Sequence, residues 1–63
     1  MQKIKIDIYK GKDVTLSVTQ TDISTIHTLH TLCEDTTVSK WEAVEYSQKH
    51  KLKHIETITI EIP

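Results

Sequence analysis

The residues best suited to chemistry crowd into positions 25–33, TIHTLHTLC, where His27, His30 and Cys33 each close a three-residue unit. Imidazole and thiolate are the ligand types of zinc. On a helix, His27 and His30 stand at i and i+3 and can grip one ion, with His50 or His54 as the source of a further ligand. Cys33 lies too far round the same helix to join His27. A strict three-residue repeat drifts about 60° per unit around a helix. Ile23, Ile26, Leu29 and Leu32 therefore spread over half the circumference, with Cys33 near the centre of that arc. A cysteine among isoleucines acts as a small hydrophobe. The stretch accordingly reads as a wide apolar helix face with Cys33 buried and inert. A metal-binding module built on His27 and His30 stands as an alternative, and no cofactor is expected.

The remaining side chains form no catalytic set. No serine or threonine sits in a nucleophile elbow, and no glycine-rich loop is present to cradle phosphate. Asp7 and Glu61 read as two solvated carboxylates on neighbouring strands. The chain is therefore expected not to be an enzyme. All eight basic residues are lysine and the net charge is −1. Without arginine there is no planar fork for base edges or phosphates.

Sixty-three residues with one cysteine imply a single domain over residues 1–63 that cannot rely on an internal disulfide. Small domains without that staple lean on metal or on self-association. A lone cysteine fits a reducing compartment. The start of the chain, MQKIKIDIYK, alternates too regularly for a signal peptide, and no apolar run is long enough for a membrane span. A cytoplasmic protein with no membrane partner is expected.

Elements that would position these residues follow from periodicity. Period-two alternation marks residues 3–9 and 14–19 as strands. Pairing Ile8 with Val14, Ile6 with Leu16 and Ile4 with Val18 puts both apolar sets on one face, with Lys10–Lys12 as the loop; a one-residue slip would bury aspartate. From Thr21 or Asp22 as N-cap the period changes to a first helix through Cys33. Ser39 and Glu42 then form a capping box for a second helix ending near His50, with Val38, Trp41 and Val44 turned inward and Val38 stapled to Ala43. Residues 55–62 alternate again, with Ile58, Ile60 and Ile62 inward. The expected fold is α+β, ββααβ: a three-stranded sheet of order 2-1-3, or 1-2-3, with two helices on one face. The third strand would run parallel to the first.

Two surfaces remain for a partner. One is the outer sheet face, with Lys3, Lys5, Asp7, Tyr9, Thr15, Ser17, Thr19, Thr57 and Thr59, and Tyr9 as its anchor. The other is a basic end that gathers the N-terminal amine, Lys3, Lys5, Lys49, His50, Lys51, Lys53 and His54, opposite an acidic end of Asp13, Glu34 and Asp35. Tyr46 is a further exposed contact on the second helix. These features suggest a small protein-binding module that occupies a surface of a larger host protein or complex. By analogy with lone domains of this size, it would be an inhibitor encoded by a phage or mobile element. Nucleic-acid binding through the lysine-rich end is the alternative. An open strand edge and a small core also favour a homodimer, formed by edge pairing or by packing of exposed apolar surface.

Overall fold

Residues 11–14, 21–24 and 31–34 form three turns set one decade apart in a computed structural model that describes residues 2–63. Each turn is closed from the N–H of its first residue to the carbonyl of its fourth: Gly11 to Val14 at 2.8 Å, Thr21 to Ser24 at 2.8 Å and Thr31 to Glu34 at 3.0 Å. In the second and third turns a threonine hydroxyl adds local bonds. Thr21 Oγ1 accepts from the Ser24 N–H at 3.1 Å, and Thr31 Oγ1 accepts from the Glu34 N–H at 3.2 Å. Threonine at the head of a turn does this readily. Thr21 therefore opens a hairpin, not a helix.

The turns separate four strands: β1 (Gln2–Lys10), β2 (Thr15–Gln20), β3 (Thr25–His30) and β4 (Asp35–Val38). One helix, α1 (Lys40–Lys49), and a last strand, β5 (Lys53–Ile62), complete the elements of the described residues. The sheet order is β4-β3-β2-β1-β5, and every neighbouring pair is antiparallel. The expected three-stranded sheet with two helices is thus replaced by five antiparallel strands and one short helix. The first helix is in fact β3 with its flanking turns, because Thr25, Ile26 and Thr28 carry the branched side chains that suit a pleated strand. Exchanging one helix for two strands adds one reversal of the chain. That is why β5 runs antiparallel to β1 instead of parallel.

The first hairpin also has a different register. Lys10 stands opposite Thr15, Tyr9 opposite Leu16 and Asp7 opposite Val18. The loop is residues 11–14, so partner numbers add to an odd total and the apolar sets of β1 and β2 fall on opposite faces. Leu16, Val18 and Leu29 point to the side covered by α1, whereas Ile4, Ile6 and Ile8 point away from it. The outer polar face is split in the same way. Lys3, Lys5, Asp7, Tyr9, Thr57 and Thr59 share the helix side, and Thr15, Ser17 and Thr19 share the open side.

The core is small: Leu16, Leu29 and Ala43 are buried, and Tyr9, Val14, Val18, Val38, Tyr46 and Leu52 pack around them. Half of the expected capping box forms: Ser39 caps the helix, but the Glu42 carboxylate takes the Ser39 hydroxyl instead of its backbone N–H. Ser39 Oγ accepts from the Glu42 N–H and donates to Glu42 Oε1, each at 3.2 Å. The inward face of α1 is the opposite of the one expected. Ala43 meets the sheet, and Trp41 is 81% exposed. Alanine lets the helix axis approach strands that a tryptophan would hold off. At the other end Lys51 has φ 52°, and the Leu52 N–H reaches the Ser47 carbonyl at 3.0 Å. This left-handed stop turns the chain into β5 and drops Leu52 onto the core. Gly11 leaves room for it, since a Cβ there would stand 2.5 Å from Leu52 Cδ2.

Candidate functional site

Strand geometry separates the two histidines of the opening motif. Residues an odd number apart point to opposite faces, so His27 looks toward α1 and His30 toward the open side. They cannot share an ion, which removes the ligand pair of the metal-binding alternative. Among the described residues, no group of three or more His, Cys, Asp or Glu side chains is placed to hold a metal. Cys33 sits exposed in the third turn, not buried in a helix stripe.

Each face of the sheet carries a hydrogen-bonded chain that includes a histidine and that sequence reading missed. On the open face, His30 Nε2 lies 3.0 Å from Ser17 Oγ and His30 Nδ1 lies 2.8 Å from Asp35 Oδ1. The order is that of nucleophile, base and orienting acid. Acyl transfer also needs N–H donors aimed at the developing oxyanion. Ser17 belongs to β2, which is laddered on both sides, so its backbone is engaged. These bonds link β2, β3 and β4.

On the helix side, Thr57 Oγ1 donates to Asp7 Oδ1 at 2.6 Å and accepts from His54 Nε2 at 2.7 Å. His54 Nε2 also lies 3.4 Å from Asp7 Oδ1, and Lys5 Nζ lies 4.0 Å from Asp7 Oδ2. These groups satisfy the aspartate that the observed register brings beside Val18. The Thr57 hydrogen bond is the main reason that the Asp7 carboxyl lies below its ordinary value; Lys5 and His54 add to the effect, and desolvation opposes it. Both chains join residues distant in sequence, and only the correct strand pairing would have revealed them.

The residues expected to bind a partner are redistributed. Lys49, His50, Lys51, Lys53 and His54 stay together where α1 runs into β5. Lys3 and Lys5 lie toward the opposite end of the sheet, because Lys10 faces Lys53 whereas Lys3 faces Glu61. Seven residues of strand separate the two ends by about 24 Å. Lys3 there pairs with Glu61 at 3.6 Å. The N-terminal amine lies outside the described residues. The acidic end is corrected as well. Asp13, Glu34 and Asp35 belong to the turns and strand start at the same end as Lys53, so positive and negative charge share that end. Tyr9 and Tyr46 are half-buried against the core, and the rings of Tyr46 and His50 stack at 5.7 Å.

What α1 leaves uncovered is a groove between itself and the middle of the sheet. It measures about 320 Å³, with Tyr9, Leu16, Val18, His27, Lys40 and Val44 among its lining residues. Trp41 and Val44 project from the same flank of the helix, one turn apart. Small-molecule sites span about 300–1,000 Å³ and enclose most of the ligand. This groove is at the lower bound and open along one side, which suits a protruding side chain better than an enclosed molecule. Comparison with protein-family models, curated proteins and solved structures returns no match.

Among the described residues, no helix is long and apolar enough to cross a membrane.

Proposed function

We propose that this chain is a non-enzymatic protein-binding module of the cytoplasm that inhibits a larger protein complex by occupying one of its surfaces. The contact surface is the groove beside α1 together with Trp41. The observation that carries this reading is the 81% exposure of Trp41, the single tryptophan of the chain. Tryptophan is among the residues most enriched at interface hot spots, and its large ring gains most when a partner removes it from water. Lys40 and His27 at the groove margin favour a partner segment that brings an apolar side chain for the groove and a carboxylate for Lys40. The mixed charge around Lys53 gives less support to nucleic-acid binding, which needs a continuous basic track.

The test combines capture with a stability control. A photo-crosslinker at Val44 is expected to trap one protein from nuclease-treated host lysate, and the trapped protein is then purified. Trp41→Ala is expected to weaken its affinity by about 30-fold or more while leaving the melting temperature of the module unchanged. An equal affinity for wild type and Trp41→Ala would overturn the reading.

A further inference from the structure

The side of the sheet away from α1 is uncovered. Ile4, Ile6 and Ile8 of β1 point to it, as do Ile58, Ile60 and Ile62 of β5, with Ile4 directly opposite Ile60 and Ile6 directly opposite Ile58. Thr19 and Ile26 extend the same row across β2 and β3. Ile60 is 44% exposed and Ile62 41%. We infer that this face is covered by a second copy of the chain, the two sheets stacking through their isoleucines with both helices outside.

Three observations favour a second copy over another partner. The first is area. Strands of six to ten residues at about 3.4 Å per residue and 4.8 Å spacing give the four strands β3-β2-β1-β5 a flat area of roughly 500 Å². Protruding side chains raise the accessible area above that projection, toward the 800 Å² or so per partner of a standard interface.

The second is charge. A two-fold interface sets a patch against itself, so like charges within it would meet. The rows Ile4–Ile60 and Ile6–Ile58 hold no charged residue. Among the described residues, the ionisable groups that do point to this side, Lys10, His30, Asp35, Lys53 and Glu56, are gathered toward one end of the strands. A two-fold axis running across the strands stacks β1 and β5 on their own counterparts. It carries those charged groups to opposite ends of the pair, so they do not face each other. Two stacked sheets tolerate this arrangement at a spacing of about 10 Å.

The third is the core. Three buried residues among those described are few for a lone chain, and stacking supplies the missing apolar layer.

The proposal goes beyond the binding reading and uses the other side of the molecule. It presents two copies of the groove with its neighbouring Trp41, one on each outer surface of the pair. Light scattering in reductant, which keeps the exposed Cys33 from linking copies, is expected to give twice the 7.3 kDa chain mass. Ile60→Asp buries an unpaired carboxylate in the stack and is expected to raise the dissociation constant of the pair more than about 100-fold. Trp41→Ala is expected to leave the pair intact. A wild type that stays monomeric at high concentration overturns the inference, as does a pair that Ile60→Asp does not weaken. Isotope-filtered NOEs on mixed labelled and unlabelled wild-type chains test the same point without a variant. Contacts between isoleucine methyls of different copies support the stack, and their absence in a sample of double mass refutes it. Loss of the pair with retained capture by Trp41 would sink the stack alone; the converse would sink only the binding reading.

Discussion

Leu29→Ala is expected to destabilise the fold by about 2–5 kcal/mol, measured as a fall in the urea midpoint at fixed protein concentration. Leu29 is 4% exposed and stands opposite Leu16 on the neighbouring strand. Truncation removes the transfer energy of its methyls and leaves a cavity between two strands and α1. Domains are stable by about 0.05–0.15 kcal/mol per residue, so a chain of this length holds roughly 3–9 kcal/mol. With only three buried residues, no second cluster exists among the described residues to absorb the loss. The variant should lose a large share of its stability. An unchanged midpoint would show that the core lies elsewhere.

The second large effect is expected at Ala43, where the helix touches the sheet at 3% exposure. Ala43→Leu inserts three carbons at the point of closest approach and forces α1 away from Leu16 and Leu29, at a cost of about 1–3 kcal/mol. Val44→Leu, on the groove flank, is the matched control and should change stability by no more than about 0.5 kcal/mol. The two substitutions distinguish the observed helix face from its opposite, since a helix with Trp41 and Val44 inward would reverse the order of effects.

Local signals in the sequence were reliable where one reading of period and capping was available. KIKIDIY and TITIEI alternate without ambiguity and are strands. SKWE carries a capping box, and the helix it opens ends at His50. The stretch TIHTLHTLC was ambiguous because a three-residue repeat satisfies a broad helix face and a strand with mixed faces equally well. Two signals favoured strands. One is the abundance of branched side chains in residues 25–30. The other is the ten-residue spacing of Thr21 and Thr31, each at the head of a turn that its own hydroxyl closes.

The register of the first hairpin was not legible from patterning. Aligning apolar faces is a sound rule when one face alone is buried, but here the two strands serve different faces. The four-residue turn decides between them, and it brings Asp7 to a place where Thr57, His54 and Lys5 meet it. The histidine chains and the groove beside Trp41 were hidden for the same reason, because they depend on strand pairing and on the rotation of α1 about Ala43. For Trp41, the usual preference of tryptophan for burial pointed to the wrong face of the helix.

The claim on which the rest depends is that β1 offers its isoleucines to the face opposite the core. A methyl NOE map of the wild-type protein tests it directly. The Ile6 methyls should contact Thr19 and Ile58, and within one chain they should show no contact with Leu16 or Leu29. Strong contacts from Ile6 to Leu16 within one chain would restore the aligned register, close the open face and contradict the account.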